Sequence, residues 1–128
     1  TQFNDDDANK ASAQVNAVVA RAPDLAGIFG ANLFSAIGSA DGVKAMGKSG
    51  EIKVVAFDAP TRIVDDLKSG LVDMAIAQHP AEIGYMGVMV AFGHVTGNPV
   101  PVSVGTGFTV MTADNIDDPD ISKYVYSD

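Results

Sequence analysis

The chain has 128 residues, 47% of them hydrophobic, with 16 acidic against 8 basic side chains, a formal charge of −8 and no cysteine. That length suffices for one domain with a real core and not for two full ones. The missing cysteine excludes disulfides and thiolate metal sites, and the lack of a basic stripe argues against a nucleic-acid surface. No apolar run reaches the ~20 residues of a membrane span. The start at Thr1, without Met or signal peptide, reads as processed or cut.

Thr1 to Asn4 reads as the end of a strand. Asp5, Asp6 and Asp7 follow as an acidic cluster that suits the positive end of a helix, and its simplest reading is a solvated helix cap. Ala8, Ala11, Val15, Val18, Val19 and Ala22 recur at helical spacing, and Pro23 stops the helix. The run AGIFGAN is a strand ending at Asn32, followed by a helix from about Leu33 to Met46 with Leu33, Ala36, Ile37 and Ala40 on one face. Gly47 to Gly50 forms a turn.

IKVVAFDAP, Ile52 to Pro60, is a near-continuous apolar run that stops at Asp58-Ala59-Pro60. Its pattern predicts a strand buried on both faces, as in parallel sheets. The helix opened by Pro60 or Thr61 turns Ile63, Val64 and Leu67 inward and Asp65, Asp66 and Lys68 outward. Leu71 to Gln78 is the next strand. Pro80 then starts a helix to about Thr96, with Ile83, Met86, Gly87, Val90 and Ala91 on its packed side. Gly84, Gly87 and Gly93 cost that helix roughly 1 kcal/mol each against Ala, which predicts close approach of another backbone. After the turn GNPVP, a strand lies within Val102 to Thr112, and an acidic tail closes the chain. Strands alternating with helices specify an α/β fold with a mostly parallel sheet and right-handed crossovers.

Gly42 to Ser49 matches the P-loop pattern G-x-x-x-x-G-K-[ST] letter for letter. A P-loop needs a strand leading into the loop and a helix opening from it. Here a helix runs into GKSG and a strand follows, so the match is read as a helix stop. Gly105-Thr106-Gly107 lacks the rest of a dinucleotide fingerprint, and DNIDDPD lacks the Gly and Glu of a calcium loop. His79 and His94 share no metal-ligand spacing and read as packing or solvent-edge residues. Asp58 with Asp6 could form a carboxylate pair, but no nucleophile, metal or cofactor site accompanies them. The expectation is therefore no enzyme, no metal and no cofactor.

Three successive strand-like runs end in Asn32, Asp58 and Gln78. Asn32 and Asp58 could each be only a helix cap, whereas Gln caps poorly. Together they bring donors and acceptors to the carboxyl edge of the sheet, where ligands bind in open α/β folds, and that mixture suits hydroxyl groups.

At these residues the sequence resembles the C-terminal lobe of a type I periplasmic sugar-binding protein of the ribose/galactose class. That fold is shared with the effector domains of lac-repressor-type regulators. The matching stretches are GIFGANLFSAIGSADGVKAMGKSG, IKVVAFDAPTRIVDDLKSG, MAIAQHPAEIGYMGV and TGFTVMTADNID. The resemblance implies a three-layer, doubly wound lobe, incomplete here, spanning residues 1–101, with 102–128 crossing back to pack on an absent N-terminal lobe. It implies a monosaccharide or polyol ligand, an ABC importer permease as partner and a periplasmic location. It makes Asn32, Asp58 and Gln78 sugar contacts, and puts Asp6 where ribose binders carry an aromatic. The alternative it leaves is a sugar-responsive transcriptional regulator. The family's missing first strand would lie second from the sheet edge, and the missing lobe would come from the parent protein or a separate chain.

Overall fold

The computed structural model describes residues 1–126. Alternation along short apolar runs builds one sheet in the order β1 (Gly27–Gly30), β2 (Lys53–Phe57), β3 (Met74–Gln78) and β4 (Phe108–Met111). The β1–β2 and β2–β3 pairs are parallel, and β4 runs antiparallel to β3. The helices are α1 (Ala8–Arg21), α2 (Leu33–Ala45), α3 (Thr61–Lys68), α4 (Pro80–Val95) and the short α5 (Pro119–Ser122). This is the expected α/β architecture with a mostly parallel sheet.

Val54, Ala56, Ala75, Ala77 and Met111 are fully buried and pack with Ala36, Ala40, Val43, Ile63 and Leu67 from α2 and α3. Val55 and Phe57, alternating with them on β2, are only half-buried. The expected strand buried on both faces is thus buried on one. The second face has no closed helical layer, because α4 contributes no buried residue. Conversely, Met111 and Ile116 sit in this core, and the Tyr126 hydroxyl accepts the Ala59 N–H at 3.3 Å. So part of residues 102–128, expected to pack elsewhere, completes this body, while α4, expected within it, projects.

Two other expectations change, and a third holds in part. Thr1 to Asn4 forms no strand and leaves the outer edge of β1 unpaired among the described residues. Gln14 Nε2 instead donates to the Phe3 carbonyl at 2.8 Å. The cap reading of the acidic cluster holds for Asp7, the N-cap of α1, which accepts from the Lys10 N–H at 3.0 Å; the first turn itself carries no acid, and Asp5 and Asp6 precede it in a turn. The glycines of α4 meet no backbone, with nothing within 4 Å of a Cβ at Gly84 or Gly87. The close approach occurs between α1 and α2, where a Cβ on Gly38 would lie 2.3 Å from the Ala8 carbonyl oxygen.

Asp66, expected outward, is buried, since i+3 from Ile63 keeps it on the packed stripe. Arg62 donates to it from Nε at 2.8 Å and to Asp41 on α2 at 2.6 Å. The bond to Asp41 raises the Arg62 pKa. Burial raises that of Asp66 above its ordinary 3.8 despite the Arg62 contact. A carboxyl whose folded pKa is raised binds protons more tightly folded than unfolded, so its stabilising share is full below the ordinary value and lost as pH rises through the raised one. Thermal melts taken as pH rises from below 3.8 should show wild type losing stability relative to Asp66→Asn. Parallel curves would contradict this assignment.

Candidate functional site

Because β1, β2 and β3 are parallel neighbours, their carboxyl ends open on one edge of the sheet. Gly30 pairs with Ala56, so Asn32 and Asp58, each two residues further on, leave the sheet at the same level. Gln78 is the last residue of β3, two beyond Ile76, whose carbonyl accepts the Asp58 N–H at 3.0 Å. The three residues therefore share one rim.

Gly30 sets the first position. A Cβ there would lie 2.4 Å from the Ala36 Cα, so only glycine lets the start of α2 sit directly against β1. Asn32 is the N-cap of α2: its Oδ1 accepts the Ser35 N–H at 2.9 Å. The cap role is not its only one, because Nδ2 donates to the Asp6 carboxylate. Asp6, brought in by the turn before α1, is thus at the rim as well.

Asp58 is not a helix cap. Pro60 holds that position on α3 without any side-chain bond. Instead Asp58 Oδ1 accepts from Gln78 Nε2 at 2.7 Å, tying the ends of β2 and β3 together. Its backbone has φ 79, and the other described non-glycine residues with positive φ are Asp5 at 53 and Asp6 at 55. Left-handed backbone at a non-glycine residue is uncommon, tolerated best by Asp and Asn, and concentrates where structure is held for function. It falls here on two of the four candidate residues and their neighbour.

After these internal bonds, the second carboxylate oxygens of Asp58 and Asp6, the Gln78 carbonyl oxygen and one N–H each from Asn32 and Gln78 remain for a ligand. That is a mixed set of acceptors and donors suited to a polyhydroxyl molecule.

His79, read as a packing or edge residue, caps α4 without a side-chain cap bond. It contacts Glu82 through Nδ1 at 3.1 Å and Thr109 through Nε2 at 2.8 Å, and stacks on Tyr124 at 3.8 Å. It ties the β3–α4 junction to β4 and the tail. Among the described residues no group of three or more His, Cys, Asp or Glu could hold a metal, and no helix is long and apolar enough to cross a membrane. In the P-loop match, α2 arrives with its C-terminal end, Gly42 is buried in the α1–α2 contact, and Lys48 pairs with Glu51 at 2.6 Å.

Asn4 and Ser35 belong to the site's support and escaped the sequence reading. Ser35 Oγ donates to Asn4 Oδ1 at 2.9 Å, across 31 positions, a separation no local pattern marks. A cavity of about 410 Å³ lies beside this support, at the open edge of β1: Asn4 and Ser35 reach its wall, which also includes Val15, Leu25, Ile28 and Phe29. Asn32, Asp58 and Gln78 do not line it; its wall is largely apolar, with Asn4, Gln14 and Ser35 among its polar groups.

Comparison with known proteins matches residues 1–99 to the periplasmic binding protein domain family. No curated protein matches the chain. An ABC transporter solute-binding protein from Agrobacterium vitis, solved with α-D-tagatopyranose bound, is 62% identical with a TM-score of 0.95, over 100% of this chain and 43% of its own. A second Agrobacterium vitis solute-binding protein, with bound D-fucose, is 30% identical at a TM-score of 0.88, over 98% of this chain and 43% of its own. A carbohydrate transporter solute-binding protein from Agrobacterium radiobacter, in complex with D-arabinose, is 27% identical at 0.87, over 97% and 42%. The chain spans less than half the length of these structures.

Proposed function

Because the chain belongs to the periplasmic binding protein domain family, we propose that it supplies one sugar-contacting rim of an extracytoplasmic solute-binding protein serving an ABC importer. A monosaccharide or polyol is held between this rim and a second lobe, on the same or another chain, and is passed to a membrane permease. The observation that carries the reading is the pairing at the rim, Gln78 to Asp58 and Asn32 to Asp6, on the carboxyl ends of adjacent parallel strands. The ligands named for the three relatives, tagatose, fucose and arabinose, are of the same polyhydroxyl class.

The mechanism is capture. Each hydroxyl donates to a carboxylate and accepts from an amide, and the Gln78–Asp58 and Asn32–Asp6 bonds hold those groups ready before the sugar arrives. A hydrogen bond to a charged group contributes about 1.5–3 kcal/mol net. Closure of the second lobe strengthens each bond by removing water. The exposed α4 supports such a lobe: Tyr85, Val88, Phe92 and Val95 face solvent, and a helix apolar on all sides is one that other protein covers. None of the three relatives is named as a regulator, so the transcriptional alternative gains no support.

Calorimetric titration of the full-length protein with D-tagatose, D-fucose and D-arabinose tests the reading. At least one should bind with micromolar or tighter affinity. Absence of binding by all three and by a wider set of pentoses, hexoses and polyols would overturn it.

A further inference from the structure

Beneath the rim lies a closed ring of bonds that joins the start of the chain to α2. Asp5 and Asp6 adopt successive left-handed conformations, each disfavoured for a residue with a Cβ and stable only where neighbours hold it. Asn4 holds this turn at both ends. It is 9% exposed, its carbonyl accepts the Asp7 N–H at 3.1 Å, and its Nδ2 donates to the Asp7 carbonyl at 3.1 Å. The Asn4 Oδ1 then accepts from Ser35 Oγ at 2.9 Å, docking the turn on α2. The exposed Lys10–Asp5 pair adds little by comparison.

Ser35 acts in two directions. Its backbone N–H orients Asn32 through Oδ1, and its hydroxyl orients Asn4 and with it the turn that carries Asp6. Asn32 Nδ2 closes the ring on the Asp6 carboxylate. Neither Asn4 nor Ser35 is among the rim's ligand-facing groups. Resting on the sugar-binding reading above, we propose that Asn4 and Ser35 are positioning residues that set the Asp6 carboxylate against the Asn32 amide, and thereby the affinity and sugar preference of that half of the rim. Supporting side chains of this kind fix the geometry of the groups that touch ligand.

A double-mutant cycle in the full-length protein tests this, read by calorimetry with the best-bound of the three sugars. Asn4→Ala and Ser35→Ala should each weaken binding about 3- to 10-fold. In an Asp6→Gly background, which keeps the left-handed backbone and removes the carboxylate, the same substitutions should change affinity less than about 2-fold. Ser35→Ala carries the test if Asn4→Ala fails to fold, because alanine is the better helix former. Unchanged affinity in the wild-type background, or equal losses in both, would overturn the role while leaving the sugar-binding reading intact. A wild type that binds none of the sugars removes that reading, and this role with it.

Discussion

Asp58→Ala in the full-length protein should weaken sugar binding about 10- to 100-fold, the loss expected when a charged acceptor of one hydroxyl is removed. The same substitution should also cost about 1 kcal/mol of stability, because alanine does not readily hold φ 79. Asp58→Asn separates the two effects. Asparagine tolerates the left-handed backbone and keeps an oxygen for Gln78, so the fold should stand while affinity falls about 10-fold through loss of charge. Calorimetry paired with chemical denaturation reads both quantities. Asp58→Asn binding as tightly as wild type would remove the carboxylate from the site.

Gly38→Ala should destabilise the protein by roughly 2 kcal/mol, although alanine is the better helix former by about 1 kcal/mol. The reason is steric. A Cβ at Gly38 would lie 2.3 Å from the Ala8 carbonyl oxygen and 2.5 Å from the Ala11 Cβ, so two helices must separate. At Gly42 the nearest atoms are the Val15 Cβ and Cγ1, at 2.8 and 2.9 Å, and that side chain can adjust more readily. Gly42→Ala should therefore cost less. Denaturant melts showing Gly38→Ala neutral or stabilising, or the milder of the two, would contradict the α1–α2 contact.

Much of this was legible because apolar runs bounded by turn residues announce parallel strands. The runs ending at Asn32, Asp58 and Gln78 became β1, β2 and β3, and parallel pairing alone then brings their ends to one rim. Gln78, which could not be explained as a cap, proved to be the partner of Asp58. At Asp66 helical period outranks residue type, and Arg62 one turn earlier lets the inward carboxyl be tolerated. The spacing of Gly38 and Gly42, one turn apart on α2, marks the close-packed helix pair, whereas the glycines of α4 meet no backbone. No rule of periodicity shows that α4 would project, because a helix's apolar faces state that it is covered and not by what. Acids suit a helix's first turn and its cap alike; Asp7 takes the cap, and Asp5 and Asp6 stand before it because Asp also accepts left-handed backbone.

The most direct test of the rim is the structure of the full-length protein with its best-bound sugar in place. Ring hydroxyls should lie within hydrogen-bond distance of the Asp58 carboxylate and of the Asn32 and Gln78 amides. A sugar seated in the cavity beside Phe29 and Leu25, or touching none of these three side chains, would contradict the account.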